Sequence, residues 1–333
     1  MTVDITSIIA LYGTTSQKIL IWAGFNLLVL VMLALDLGIF HHKDHKISVK
    51  EGLVWSAIWV VVALIFNVFV YYWQGPERGL QFFTGYLIER SLSIDNIFVF
   101  LLIFTYFGVP DKYQYKVLFW GILGALIFRG LFIALGTLLI AKFHWVIYIF
   151  GAFLVFTGIK MGFAGESEIH PEKNPILRFV RRFLPISKDY VNGKFFIRKN
   201  KTLVATPLFV VLVVVESTDV VFAVDSIPAI FAITLDPFIV YTSNVFAILG
   251  LRALYFAIAG LMDMFYYLKY GLSAILSFVG VKMLISAWYK IPDLMALGII
   301  AGMLLLSIVF SIARPHPKKI DPHLKKTAAK IEE

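Results

Sequence analysis

The stretch STDVVFAV (217–224) repeats an earlier stretch of the same chain, SIDNIFVF (93–100). The sequence downstream of each copy agrees as well, in the same order. Two further pairs correspond: RGLFIALG (129–136) with RALYFAIAG (252–260), and TGIKM (157–161) with VGVKM (279–283). The chain therefore contains a duplicated unit.

Each copy of the unit carries an acid followed by two bases at nearly equal intervals. In the first copy, Arg129 follows Asp95 after 34 residues and Lys160 follows after another 31. In the second copy the intervals are 33 and 30, for Asp219, Arg252 and Lys282. All six charges lie within apolar sequence, where a charge is expensive and usually functional. A duplicated unit with charges at membrane depth is typical of secondary transporters.

Composition indicates that lipid surrounds most of the chain. Apolar residues make up 60% of the 333 residues, charged residues 15%, and the mean hydropathy is +0.85. A soluble domain carries about 25% charged residues. Cysteine is absent, which excludes disulfides and thiolate ligands. The net charge of +9 collects in connecting segments, so we predict the lipid bilayer as partner and no nucleic acid. We also expect no resident cofactor and no enzymatic activity.

The hydrophobic segments predict an all-α polytopic membrane protein with nine transmembrane helices. About 20 apolar residues cross a hydrocarbon core roughly 30 Å thick. Spans of this kind lie near 19–40, 52–73, 80–107, 115–140, 143–163, 203–233, 238–261, 268–289 and 293–313. With the N-terminus outside, 21 Lys and Arg of the connections lie inside and 4 outside. We therefore expect a multi-pass protein of the plasma (inner) membrane with a cytoplasmic C-terminus.

The spans group into one transporter domain, residues 1–333, around two repeats. Spans 3–5 form repeat 1 (80–163) and spans 6–8 form repeat 2 (203–289). Each repeat has an odd number of helices, so the second copy is inverted relative to the first. A cytoplasmic loop (164–202) joins them, and Asn192-Gly193 predicts a β-hairpin within it. Residues 314–333 form a basic cytoplasmic tail.

Span 3 is the first candidate site, and it reads YLIERSLSIDNIFVF (86–100). Glu89 and Asn96 share one helical face with Ser93 because they are spaced four and three residues apart. Asp95 points to a different side of a regular helix.

Span 6 is the second candidate site, and it reads VVVESTDVVFAVDSIPAIF (213–231). Glu216 and Asp219 are three residues apart and adjacent on the helix surface. Asp225 lies opposite Glu216 on an ideal helix. Pro228 favours a break in the helix, which would turn Asp225 inward.

These side chains offer oxygen ligands only, with Asn244 of span 7 as a further candidate. Oxygen ligands suit hard divalent cations such as Mn²⁺, Mg²⁺ or Ca²⁺ and disfavour zinc and copper. Ligand chemistry alone does not choose among the three. The alternative is that the acids have no role in metal binding and only neutralise buried bases. We interpret these bases mainly as counter-charges, and they are Arg90, Arg129, Lys160, Arg252 and Lys282. Asp36, near the inner end of span 1, has two interpretations, a residue of the transport pathway or a carboxylate at the membrane interface, and we favour the second.

The stretches that carry these charges also resemble a known family. GYLIERSLSIDNIFVF (85–100), YIFGAFLVFTGIKM (148–161) and the long stretch 216–256 are similar to the TerC family of integral membrane proteins, and within it to the Alx-type manganese exporters. The resemblance implies a nine-helix membrane fold and efflux of Mn²⁺ from the cytoplasm. It also implies a metal pathway formed by six residues: Glu89, Asp95, Asn96, Glu216, Asp219 and Asp225.

Mn²⁺ export, with exchange for protons as the candidate coupling, is therefore the leading hypothesis. One alternative is export of another divalent cation. Another is export of an anion or amino acid through Arg129 and Arg252. The last is an intramembrane aspartyl hydrolase using Asp95 and Asp219, although their Ile-Asp and Thr-Asp contexts differ from the Tyr-Asp and Gly-x-Gly-Asp motifs of such enzymes.

Overall fold

The structure is a computed structural model that describes residues 15–40, 48–143, 145–163, 184–187, 189–199, 202–259 and 267–313. Within these ranges the chain forms ten helices and one antiparallel pair of strands. The helices are α1 (Thr15–Phe40), α2 (Val49–Gln74), α3 (Pro76–Tyr106), α4 (Asp111–Lys142), α5 (Val146–Phe163), α6 (Pro207–Phe231), α7 (Pro237–Leu249), α8 (Leu251–Ala259), α9 (Leu268–Ile285) and α10 (Asp293–Ala313). The strands are β1 (Phe196–Lys199) and β2 (Thr202–Ala205).

Most of the predicted spans are helices of transmembrane character. Seven of the described helices are long and apolar enough to cross a membrane, and α7 with α8 forms an eighth span if the bent pair counts as one. The helix that corresponds to predicted span 3, α3, does not pass this test. Its 31 residues reach about 46 Å, but Glu89, Arg90 and Asp95 interrupt its apolar sequence. The charged residues that keep α3 from meeting this criterion thus include two predicted site residues, Glu89 and Asp95.

Local sequence explains where several of these helices begin. Pro76, Pro207 and Pro237 each occupy the first helical turn, where a missing N–H costs nothing. Asp236 caps α7, because its Oδ1 accepts hydrogen bonds from the backbone N–H of Phe238 at 2.9 Å and of Ile239 at 3.4 Å. The same carboxylate pairs with Arg78, which ties the start of α7 to the start of α3.

The helices of the two predicted repeats pack against one another in a reciprocal pattern. The first helix of repeat 1, α3, packs on α7, and the second, α4, packs on α6. The third helices, α5 and α9, make the most extensive helix pair of the structure. Around this centre, α2 packs on α8 and α3, while α10 packs on α9 and α3. The large apolar side chains exposed on α1 and α2 then face lipid.

Small residues allow the close approach of α5 and α9. A Cβ on Gly158 would lie 2.8 Å from the backbone oxygen of Ser273, and one on Gly280 would lie 2.7 Å from that of Gly151. The hydroxyl of Ser273 donates a hydrogen bond to the backbone oxygen of Gly158 at 2.6 Å. The counterparts are 122 positions apart in both cases, 158 with 280 and 151 with 273. The two contacts are therefore equivalent in the repeats.

The segment between the repeats contains a hairpin, but the predicted turn does not connect its strands. β1 and β2 pair antiparallel, with Phe196 opposite Ala205. Asn192 and Gly193 form a separate turn just before β1, with φ values of 46° and 64°. This turn docks on α4, where the Lys116 ammonium donates to the Gly193 backbone oxygen at 2.6 Å. The first part of the predicted loop (164–183) and the predicted basic tail (314–333) lie outside the described residues.

Candidate functional site

Arg129 lies at the centre of a charged network where α3, α4, α6 and α7 meet. It is only 2% exposed. Its Nη1 donates to the carboxylate of Glu89 on α3. Its Nε and Nη2 donate to the two oxygens of Asp219 on α6, at 3.4 and 3.3 Å. This fork-like pairing sets one guanidinium against both carboxylate oxygens of Asp219. The guanidinium thereby joins two predicted site residues, one from each predicted repeat.

Asn244 of α7 closes the network. Its Oδ1 accepts a hydrogen bond from Arg129 Nη1 at 3.0 Å, and its Nδ2 donates to Glu89 Oε2 at 3.2 Å. Ser226 adds its hydroxyl, which accepts from Arg129 Nη1 at 3.3 Å. Asn244 was a candidate on the sequence, whereas Ser226 was missed. The signal for Ser226 was its position seven residues after Asp219, which places both on one face of α6.

Glu216 lies beside this network without being tied into it. It precedes Asp219 by three residues, as the predicted face of the helix requires. Its side chain lies against Gly124 of α4, where a Cβ would overlap the carboxylate. Its Oε2 is buried and has no hydrogen-bond partner among the described residues. The network therefore has an uncommitted carboxylate next to it.

Asp225 lies on a different surface of α6 from Asp219. It lies near Thr157 and the charge of Lys160, both on α5. The predicted break at Pro228 is wrong, because α6 runs without interruption to Phe231. Pro228 lies in the last turn, so its missing N–H affects one carbonyl near the helix end and forces no reorientation. Asp225 is consequently not turned toward Asp219.

Asn96 and Asp95 complete the predicted set on α3. Asn96 is buried, as is Ser93, whose Oγ has no hydrogen-bond partner in the part of the chain that the structure describes. The side chain of Asp95 lies outside the described residues. Their assignment to a metal pathway stays a prediction.

Three of the five bases act as the predicted counter-charges. Arg129 pairs with Glu89 and Asp219, and Lys282 pairs with Asp293 at 3.2 Å. Arg252 pairs with Asp36. Lys160 is exposed, with its charge near Asp225. Arg90 donates to Ser56 Oγ at 2.7 Å and to the Ala247 backbone oxygen at 3.2 Å.

The interpretation of Asp36 as an interfacial carboxylate is wrong. Its Oδ2 lies 2.6 Å from Arg252 Nη2, and both residues are buried, at 5% and 1% exposed. A cation at this position holds the carboxylate in the protein interior, because an unpaired charge there would be very costly.

A cleft of about 620 Å³ opens at one end of the bundle, away from the network. Glu77, Lys282 and Asp293 are among its lining residues, whereas none of the five predicted site residues with described side chains lines it. Beside it, the amide of Gln81 donates to Asp293 Oδ2 at 3.2 Å and to Glu77 Oε1 at 3.3 Å. The buried network and the cleft are therefore separate features.

The chemistry of the network is that of an anionic, oxygen-rich site holding a cation. Three acidic side chains, Glu89, Asp219 and Glu216, lie in or beside it together with one guanidinium. No three Asp, Glu or His side chains within the described ranges are close enough to hold a metal ion together. The cation that Glu89 and Asp219 hold here is Arg129.

Comparison with known proteins places the chain among integral membrane proteins. The family described as "Integral membrane protein TerC family" matches residues 74–319. A membrane protein of Myxococcus xanthus is 52% identical over 294 residues, covering 88% of this chain and 92% of that protein. A suspected membrane-bound redox modulator called Alx, from Escherichia coli, is 48% identical over 301 residues, covering 88% and 94%. A membrane protein of Rickettsia bellii is 41% identical over 293 residues, covering 88% and 97%. No solved structure matches the chain.

Proposed function

The chain belongs to the TerC family of integral membrane proteins, and on that basis we propose that it is a secondary transporter that exports Mn²⁺ from the cytoplasm. The observation that carries the proposal is the buried network in which Arg129 joins Glu89 and Asp219. Buried charges inside a membrane bundle are costly and mark ion pathways. Carboxylates from both predicted repeats meet there, as a site between two moving halves requires.

The proposal includes nine spans with α3 as span 3 and the bent pair α7–α8 as span 7. It also includes the inverted relation of the two repeats. Two observations support that relation: the reciprocal packing of α3 on α7 and α4 on α6, and the equivalent contacts of Gly158 and Gly280. Inverted repeats allow a central site to open alternately to each side of a membrane.

The choice of a hard divalent cation rests on the donor atoms. Carboxylate, amide and hydroxyl oxygens are the ligands that Mn²⁺, Mg²⁺ and Ca²⁺ prefer. The acidic side chains outnumber the single guanidinium of the network, which disfavours an anion as substrate. The family resemblance favours Mn²⁺ among the three, and the distribution of Lys and Arg favours an outward-facing N-terminus.

The name of the Escherichia coli relative suggests a different role, redox modulation. The present chain contains no cysteine, so it has no thiol with which to exchange disulfides. A metal exporter needs none. We therefore propose transport, and treat redox modulation as an activity suggested for that relative.

The test is Mn²⁺ flux in vesicles reconstituted with the full chain, followed with a metal-sensitive dye and a pH dye. We expect Asp219→Asn to abolish flux, because the substitution removes the negative charge that pairs with Arg129 and that would bind a metal ion. The matched control is Asp293→Asn, which alters an ion-paired carboxylate outside the network. Proton movement opposite to Mn²⁺ would establish exchange. Equal flux in wild type and Asp219→Asn, or none in wild type, would contradict the proposal.

A further inference from the structure

Arg129 occupies the carboxylate oxygens that a transported cation would need. Both oxygens of Asp219 accept from its Nε and Nη2, and Glu89 accepts from its Nη1. The second oxygen of Glu89 is taken by the amide of Asn244. A divalent cation such as Mg²⁺ or Ca²⁺ requires six or more oxygen ligands at about 2.0–2.6 Å. A guanidinium and a divalent ion at the same carboxylate oxygens would also repel each other in a low-dielectric interior, so the two cations compete for this pair.

We propose that Arg129 is a tethered cation that competes with the transported metal ion for Glu89 and Asp219. This inference rests on the proposed function and adds a role for a residue outside the predicted metal ligands. In the metal-free protein the guanidinium holds the two acids together. A metal ion that enters displaces it, and its return expels the ion.

Competition explains why no cluster of three acidic residues is assembled in the described part of the chain. Two neighbouring carboxylates without a cation would repel each other in a low-dielectric interior. Arg129 reduces that repulsion, but it occupies oxygen atoms of Glu89 and Asp219 that would otherwise be available to a metal ion. The single guanidinium offsets only part of the negative charge, so the network still attracts an entering cation.

Glu216 provides the point at which a metal ion can begin the exchange. Its Oε2 is buried and has no partner among the residues described, and it lies one helical turn before Asp219. A buried polar atom without a partner is costly and rare. A role as a metal ligand explains why this carboxylate is kept without a hydrogen-bond partner in the metal-free protein. An arriving cation can bind Glu216 first and then take Asp219 from Arg129.

The experiment measures binding of Mn²⁺, Mg²⁺ and Ca²⁺ to the purified full chain by calorimetric titration, beside flux in vesicles. We expect Arg129→Gln to bind the preferred ion at least about tenfold more tightly, which is about 1.4 kcal/mol, because no tethered cation then competes for the two carboxylates. Its flux should fall at least about tenfold, because nothing expels the bound ion. Arg252→Gln is the matched control, and it should leave affinity unchanged because Arg252 pairs with Asp36.

A second variant keeps the test decisive if Arg129→Gln does not fold. Arg129→Lys retains the charge but loses the fork, so it should also bind the ion more tightly than wild type. Equal or weaker binding in a folded Arg129 variant would overturn the competition and leave export standing. Tighter binding without any flux in wild-type vesicles would support competition and overturn export. No binding of any of the three ions to wild type or variant would overturn both.

Discussion

The two arginines at equivalent places in the sequence repeats have different surroundings. Arg129 contacts Glu89 of repeat 1, and Asp219, Ser226 and Asn244 of repeat 2. Arg252 is just as buried, but its described carboxylate partner is Asp36 of α1, a helix outside both repeats. Duplicated sequence thus produced two buried cations of which one joins the repeats and the other anchors an added helix. We infer that the first serves transport and the second stability.

The helices that carry the two arginines differ as well. Arg129 lies within α4, a continuous helix of 32 residues. Arg252 follows a bend of about 40° between α7 and α8, at Gly250. A Cβ at Gly250 would lie 2.6 Å from Arg90 Nη1, so the glycine makes room for the partly buried Arg90.

The largest effect is expected from removing the partner of Arg252. Asp36→Ala leaves a buried guanidinium without this carboxylate, and we expect the free energy of unfolding to fall by about 3–5 kcal/mol. The affinity of the folded fraction for Mn²⁺ should not change. Unfolding in detergent micelles and calorimetric titration measure the two quantities. Asp293→Ala, which breaks a partly exposed pair, should cost less than about 1 kcal/mol.

The outcome decides whether the two arginines have separate roles. If Asp36→Ala abolished Mn²⁺ binding in protein that remained folded, Arg252 would belong to the transport site. The comparison with Arg129 would then be wrong.

The second prediction concerns a place where the repeats are alike. Gly158→Ala and Gly280→Ala each put a Cβ within 2.8 Å of a backbone oxygen on the facing helix. We expect each to lower the free energy of unfolding by about 1–3 kcal/mol, because backbone atoms cannot move aside easily. Thermal unfolding in detergent compares them with Gly298→Ala on α10, where no atom lies within 4 Å.

Gly298→Ala should raise stability by about 0.5–1 kcal/mol through the reduced entropy of the unfolded chain. Markedly unequal losses for the two interface glycines would show that the contacts of α5 and α9 are not equivalent. That result would weaken the inverted relation of the repeats.

Much of this arrangement could be predicted from the sequence, because buried charges in an apolar chain are conspicuous. The duplicated pattern located Arg129 and Asp219, and helical spacing placed Glu216 beside Asp219. The role of counter-charge was predicted for all five bases, and Arg129, Arg252 and Lys282 form ion pairs. These inferences succeed because burial of a charge requires a partner of opposite sign within the same bundle.

The choice of partner could not be predicted, because it depends on how helices distant in sequence pack. Asp36 lies 216 residues before Arg252, and no local pattern connects them. The position of the bend was also missed. Pro228 was predicted to break α6, but a proline in the last helical turn removes only one hydrogen bond near the helix end. Glycine is required at position 250, because a Cβ there would overlap the guanidinium of Arg90. Contacts between residues distant in sequence therefore determine both the partner of Arg252 and the position of the bend.

The smallest effect concerns the segment that joins the repeats, where the contact is neutral rather than ionic. The hydroxyl of Tyr190 donates to the Phe107 backbone oxygen at 2.8 Å, at the end of α3. Burial raises the pKa of Tyr190 from 10.0 to about 12. Its contribution to stability is therefore complete below pH 10 and is lost as the pH rises through about 12, when the phenolate can no longer donate.

Tyr190→Phe should cost about 1 kcal/mol at neutral pH, the usual value of a neutral hydrogen bond, and should remove this pH dependence. Amide hydrogen exchange of residues 189–199 measures the local stability, and the ultraviolet absorbance of the phenolate follows the titration. Tyr72→Phe on α2, at an 83% exposed position, is the control and should change neither. Unchanged exchange in Tyr190→Phe would mean that the segment is held by Lys116 and the strands alone. The link between the repeats would then be independent of the end of α3.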